Sequence, residues 1–163
     1  NSAESHYNYG VLLVQQGRYL EAELPFRQAL ETDPTNPDAH YNLGDVLQRQ
    51  GKLTEAAQEF RRAVENRPDF AEAHFSLGRI LVNQEKFEDG IQQLLLALRT
   101  DDKDSEPTYL YAVGAAYARA GDSENGLKYV RMAREKAAAR GQASLREKIE
   151  RDLERMESVG NPR

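Results

Sequence analysis

No cysteine occurs in the chain, which excludes disulfides, thiolate metal sites and cysteine nucleophiles. There is no basic excess either. The formal net charge is −5, and a surface built for phosphate backbones carries the opposite sign, so nucleic acid is not an expected partner. No apolar run approaches the roughly 18 residues that a membrane span needs, so no membrane partner is expected. No charged n-region followed by an apolar core opens the chain. An initiator methionine is also missing, and a helical pattern begins almost at once. The expectation is a soluble, cytoplasmic segment of a longer protein. Its 163 residues suffice for one ordinary globular domain.

What is there is repetition. HYNYGVLLVQQGRYLEAELPF at 6–26 returns thirty-four residues later as HYNLGDVLQRQGKLTEAAQEF at 40–60, with ten of 21 positions identical. A third copy, HFSLGRILVNQEKFEDGIQQL, stands at 74–94, and a more divergent fourth, LYAVGAAYARAGDSENGLKYV, at 110–130, displaced by thirty-six. Periods of this size signal a stacked solenoid. Each copy reads as two helices. In the first, bulky residues recur three and four apart: His6, Tyr9, Leu13; His40, Leu43, Leu47; His74, Leu77, Leu81; Leu110, Val113, Tyr117. Breaks follow at Gln16-Gly17, Gln50-Gly51, Gln84-Glu85 and Ala120-Gly121, and then a second periodic run with Ala22, Phe26, Ala29 or Ala56, Phe60, Ala63. Pro34 and Pro68 stand just past the second helices, which they cannot continue. Asn36-Pro37 reads as an N-cap followed by Pro at the first helical position, and Pro107 takes the same N1 place in the fourth copy. Pro25 falls inside a helix and deletes a backbone hydrogen bond; a slight bend near the helix start is expected.

These residues resemble the tetratricopeptide repeat, whose pattern is Trp-x2-Leu-Gly-x2-Tyr, then Ala-x3-Phe, then Ala and Pro. The first copy matches as His6, Tyr9, Gly10, Leu13, Ala22, Phe26, Ala29 and Pro34, and the second as His40, Leu43, Gly44, Leu47, Ala56, Phe60, Ala63 and Pro68. The third departs at Gly90, Leu94 and Asp102, and the fourth at Gly126 and Val130. The resemblance implies an all-α, right-handed superhelix of antiparallel helix pairs. Four units are expected at about 3–36, 37–70, 71–104 and 107–140. A helix at 142–158 with the stripe Leu145, Ile149, Leu153, Met156 would cap the stack, in preference to pairing as a coiled coil. VGNPR at 159–163 is expected as a disordered tail. Glycine inside each first helix, at about 1 kcal/mol against alanine, implies a close helix–helix approach, with Ala22 and Ala56 as the small partners. Phe26 and Phe60 are expected to fill the space between adjacent units.

The chemistry-bearing residues point away from catalysis. His6, His40 and His74 are one repeat apart, so neighbours should be about 10 Å from each other, while zinc holds nitrogen at about 2 Å. They replace the family's aromatic and are expected in the core. The acidic stretch TDDKDSEP at 100–107 lacks the alternating ligands, glycine and closing glutamate of a calcium loop, and reads as a solvated joint that loosens the register of units three and four. No cofactor, no metal and no enzymatic activity are expected.

With His6, Tyr9, Gly10 and Leu13 facing inward, 100° per residue sets the opposite face. It holds Tyr7, Asn8, Val11, Val14, Gln15; Tyr41, Asn42, Asp45, Gln48, Arg49; Phe75, Ser76, Arg79, Val82, Asn83; and Tyr111, Ala112, Ala115, Ala118, Arg119. In similar arrays this face lines a concave groove that binds peptides. The expected partner-binding set is Tyr7, Asn8, Gln15, Tyr41, Asn42, Asp45, Arg49, Phe75, Arg79, Asn83, Tyr111 and Arg119. The recurring aromatics Tyr7, Tyr41, Phe75 and Tyr111 would either anchor a ligand or pack on the next unit. Asn8 and Asn42 resemble two rungs of the asparagine ladder in the repeats of O-linked N-acetylglucosamine transferase; Ser76 and Ala112 end it. A carboxylate-clamp subclass needs Lys or Arg where Tyr7, Glu72 and Ser76 stand, and only Asn42 of its set is present, so chaperone C-termini should not bind tightly. Arg49, Arg79 and Arg119 imply an acidic partner. The expected work is a scaffold that binds a peptide or helical segment of a partner protein, with a non-catalytic docking or oligomerisation region of a larger enzyme, including self-association, as the rival.

Overall fold

The structure, a computed structural model, describes residues 2–99 and 101–159. Among them are nine helices and no strand: α1 (Ser2–Gln15), α2 (Tyr19–Thr32), α3 (Pro37–Arg49), α4 (Leu53–Asn66), α5 (Ala71–Asn83), α6 (Phe87–Ala97), α7 (Glu106–Arg119), α8 (Ser123–Ala139) and α9 (Ala143–Val159). None of the described helices is long and apolar enough to cross a membrane. The chain divides between Leu77 and Gly78, inside α5, into two compact units. Val159 thus closes α9 rather than opening a tail, and residues 160–163 lie outside the described set.

Local signals set the ends of these helices. Asn36 caps α3, its side chain accepting from Ala39 N at 2.9 Å, with Pro37 the first helical residue. Pro107 is the second residue of α7, behind Glu106, not the first. Gly51 ends its turn at φ 79, a conformation glycine adopts without cost, whereas Glu85 holds the corresponding place at φ 62 with a side chain attached. Pro25 stays inside an unbroken α2 and is buried. Beyond α6, residues 101–104 are exposed, and Asp102 gathers the turn by accepting from Asp104 N and Ser105 Oγ.

In the first unit, α1 packs on α2, α2 on α3 and α3 on α4. A Cβ on Gly44 would stand 2.8 Å from Phe60 Cε1, and one on Gly10 would stand 2.7 Å from Phe26 Cε1. Each phenyl ring therefore lies against the glycine of its own helix pair, a correction to the expectation that it fills space between units. The second unit solves the same crossing with smaller groups. A Cβ on Gly78 would meet Leu94 Cγ and the Gly90 carbonyl, and one on Gly114 would meet Val130 Cγ2 and the Val130 amide. There the glycines admit backbone rather than a ring. Leu110, Val130, Ala133, Ala137, Ile149 and Leu153 form one core cluster of this unit, with Leu145 and Met156 packed on its edge. The apolar stripe of α9 is thus spent on α7 and α8.

Three inward or outward assignments change. Tyr9 is 51% exposed, and His6 is half-buried where His40 and His74 are buried. Val82 is buried rather than on the exposed face. Tyr9 occupies the place that Leu43 and Leu77, both buried, fill in later repeats.

Phe60→Ala should cost about 3–5 kcal/mol, read from urea unfolding. Gly44→Ala should cost about 1–3 kcal/mol because the ring must move, and Phe60→Leu in the same chain should recover part of that loss.

Candidate functional site

The recurring aromatics act first as staples. Tyr7 of α1 tilts against Phe26 with ring centroids 5.9 Å apart, and its hydroxyl accepts from Asn42 Nδ2 of α3 at 3.3 Å. Tyr41 of α3 sits 5.7 Å from Phe60 and 4.9 Å from Phe70, and its hydroxyl bonds Ser76 at the start of α5. Burial, with Asp38 nearby, raises the Tyr7 phenol above its ordinary value; burial, with Asp45 and Glu72, does the same to Tyr41. In the second unit Tyr111 of α7 donates to Asp152 of α9, and Lys148 lies 5.0 Å over its ring. Burial and the Asp152 carboxylate push Tyr111 up to about 12. Tyr7, Tyr41 and Tyr111 therefore each hold the next first-in-pair helix or the end helix, leaving only an edge for a ligand; Phe75 is half-buried.

Polar groups on this face divide into spent and open. Asn42 Nδ2 also donates to the Asp38 carbonyl at 2.8 Å, so its donors are used, while Oδ1 accepts from nothing among the described residues. Asn8 and Gln15 are exposed. Arg49 Nε bonds Asp45 Oδ2 at 2.8 Å, and its guanidinium lies 4.4 Å over Tyr19. Its charge is matched within the site, as is that of Arg67, which forks onto Asp38. In the second unit Arg119 bonds Asn83 Oδ1 at 2.8 Å, a neutral partner, and Arg79 is exposed. The first unit thus brings Tyr7, Asn8, Gln15, Tyr41, Asn42, Asp45, Arg49 and Phe75 together, and the second holds Arg79, Asn83, Tyr111 and Arg119.

A different cluster went unnoticed in the sequence. His40 Nε2 donates to the Pro34 carbonyl at 2.9 Å, and its Nδ1 lies 2.7 Å from Glu59 Oε2, both side chains being buried. Arg62 Nη1 bonds the other Glu59 oxygen at 3.1 Å. Leu30, Leu43, Arg27 and Glu31 complete the wall of a surface cavity of about 550 Å³ above the pair. Both ring nitrogens of His40 and both oxygens of Glu59 have protein partners, so the pair ties the α2–α3 turn to α4 and keeps the core histidine satisfied. The signal was available: a histidine recurring on a core face needs a buried polar partner, and Glu59 is polar amid the apolar stripe of α4. Among the described residues no three metal-ligating side chains come together.

Comparison with known proteins agrees with this architecture. The family model described as tetratricopeptide repeat matches residues 41–106 and again 77–143, and that described as TPR repeat matches residues 10–51. The chain belongs to the tetratricopeptide repeat family. Among solved structures it is similar to YrrB, described as a TPR protein with an unusual peptide-binding site, at 27% identity over 83% of this chain and 69% of that one, with a TM-score of 0.74. MamA shares the fold at 20% identity, covering 87% and 82% of the two chains with a TM-score of 0.80. So does pilF of Pseudomonas aeruginosa at 19%, covering 99% and 78%, with a TM-score of 0.71. No curated protein sequence matches the chain.

Tyr111 favours the folded state in its protonated form. Its contribution should be complete below pH 10, the ordinary phenol value, and fade as pH rises through about 12. Difference absorbance of tyrosinate should show one late-titrating tyrosine that Tyr111→Phe removes and Asp152→Asn shifts back toward 10.

Proposed function

We propose that the exposed face of α1, α3 and the start of α5 binds an extended peptide segment of a partner protein. The observation that carries this reading is the pair Asn8 and Asn42, one repeat apart on stapled helices. Asn8 has donors and an acceptor in solvent, and Asn42 offers a fixed acceptor because Tyr7 and Asp38 hold its amide nitrogen. An extended backbone presents alternating N–H and C=O groups, which suit such rungs. Because Asn42 has spent its donors, it is the peptide's N–H that it would bind. Gln15 extends the polar strip, and the ring edges of Tyr7, Tyr41 and Phe75 supply apolar contact. The peptide-binding description of YrrB supports the same kind of ligand.

In the second unit Arg79, Arg119 and Asn83, at the edge of Tyr111, form the matching face. Arg119, bonded to a neutral amide, supports an acidic partner there, whereas Arg49 is already matched by Asp45. We propose four helix pairs at about 3–36, 37–70, 71–104 and 107–140, closed by α9, acting as a non-catalytic scaffold.

A peptide selected from a random library on the immobilised chain and titrated by fluorescence anisotropy tests this. Asn8→Ala with Asn42→Ala should weaken it about tenfold or more, the worth of one or two hydrogen bonds. An unchanged affinity would dispose of the ladder. Substituting Arg49, Arg79 and Arg119 together should weaken an acidic peptide further and leave a neutral one unaffected. A chaperone-type C-terminal peptide should show no micromolar binding.

A further inference from the structure

The end helix α9 carries its charges in two separate rows. Glu147, Glu150, Glu154 and Glu157 recur three and four apart, and so do Ser144, Lys148, Arg151 and Arg155, so each set keeps to one side of the helix. Two members of the acidic row are matched. Arg146 bonds Glu150 at 3.0 Å, and Arg131 of α8 bonds Glu157 at 2.7 Å. In the basic row only Arg155 has a carboxylate, Asp152 at 3.5 Å. Arg151 is exposed and makes no ion pair or hydrogen bond among the described residues, although Glu147 and Glu154 stand four before and three after it. Lys148 makes none either; its ammonium lies 5.0 Å from the centroid of the Tyr111 ring. Like charges three and four apart destabilise a helix, a cost that packing within the chain does not return. This row borders α7. Thr108 of α7, Ser144, Leu145, Lys148 and Arg151 line a cavity of about 620 Å³. Ala118 of α7, Leu127 of α8 and Met156 line a second, of about 280 Å³, whose wall Ser123 and Arg155 complete. Met156 lies just over two turns beyond Lys148, about 12 Å along the helix.

We infer that the side of α9 bordering α7 docks an acidic segment of a partner protein. Its carboxylates meet Lys148 and Arg151, and an apolar side chain about four extended residues away enters the cavity between Ala118, Leu127 and Met156. Charge complementarity selects this occupant. Two cations without carboxylates of their own stand one turn apart, and the hydroxyls of Thr108 and Ser144, unbonded among the described residues, can donate to the same oxygens. Lys148 rests on Tyr111, whose hydroxyl is anchored on Asp152, so little freedom is lost when it takes a ligand. A nucleic acid or an anionic membrane fits less well. The basic row is narrow and bordered by Glu147 and Glu154, and the whole chain carries −5, so a broad anionic surface would meet carboxylates too. A segment running between α9 and α7 avoids them. The second cavity, walled mainly by apolar side chains, suits a hydrophobic residue and not a phosphate. This site needs neither Asn8 and Asn42 nor Arg79 and Arg119, and it gives α9 a task besides closing the stack.

Fluorescence anisotropy with the full chain is the test. The probe is a labelled peptide with a run of glutamates and, about four residues on, a leucine. It should bind at low salt and weaken as salt rises. Lys148→Gln with Arg151→Gln should weaken it about tenfold or more. Arg151→Gln alone should give a smaller loss without lowering the urea midpoint, since that side chain has no partner to lose. Arg146→Gln, the same change of charge on another side of α9, should leave binding intact. Serine in place of the probe's leucine should weaken it further. No binding of the probe, equal losses in Arg146→Gln and Arg151→Gln, or tighter binding of an RNA oligonucleotide or of phosphatidylserine vesicles than of the peptide would overturn the inference.

Discussion

A helix in this chain has more apolar surface than its own partner helix can cover. On α3, Gly44 and Leu47 meet α4, while Ala39, Leu43 and Val46 lie a quarter-turn away and are closed only because α2 of the preceding pair lies on them. Fully burying a side chain of the Leu or Val kind stabilises by about 1.5–3 kcal/mol. A lone pair would leave several such groups in water. Stacking is thus a requirement of the sequence pattern, and it is why the pattern is written more than once. The same requirement aligns equivalent residues in neighbouring layers. Tyr7 reaches Asn42 and Tyr41 reaches Ser76 because each tyrosine sits at the same height on the same side of its helix.

Within a pair, the glycine of the first helix decides how close the second can come. Two solutions occur. Gly10 and Gly44 each receive a phenyl ring, so the helices are separated by an aromatic thickness. Gly78 and Gly114 receive aliphatic groups and backbone, with Gly90 and Gly126 opposite. The divergence of the later repeats from the family pattern is therefore coordinated: where phenylalanine is lost, alanine on the same helix becomes glycine and the helices close the gap. The cost of two helical glycines is offset by closer backbone contact.

The polar interior follows the same economy. His40, Glu59 and Arg62 satisfy one another and the Pro34 carbonyl, so a group with acid–base chemistry is consumed as a fastening between turn and helix. On the exposed face, Asp45 matches Arg49 and Asp38 matches Arg67 and receives the Asn42 donor at its carbonyl. In the first unit this leaves Asn8, Gln15 and the Asn42 acceptor, carried on α1 and α3, which the Tyr7–Asn42 bond ties together.

By itself the sequence determined the period, the helices, the turns and the family, because these rest on local signals: glycine or proline at breaks, Asn36 as a cap, bulky residues three and four apart. It also marked which side of α3 and α5 turns inward, since a helix of fixed pitch carries that information along its own length. Only the tertiary structure decided which of those sides is actually covered. Tyr9 and Leu43 are written at the same position, yet one is exposed and the other closed, because α2 packs on α3 where Leu43 stands. Val82 faces inward against expectation, crowded against Gly90 of α6. Glu59 as the partner of His40, and Asp152 as the partner of Tyr111, sit 19 and 41 residues away and became neighbours only through packing. Local pattern sets a helix and its faces; contact between faces depends on what stacks against them.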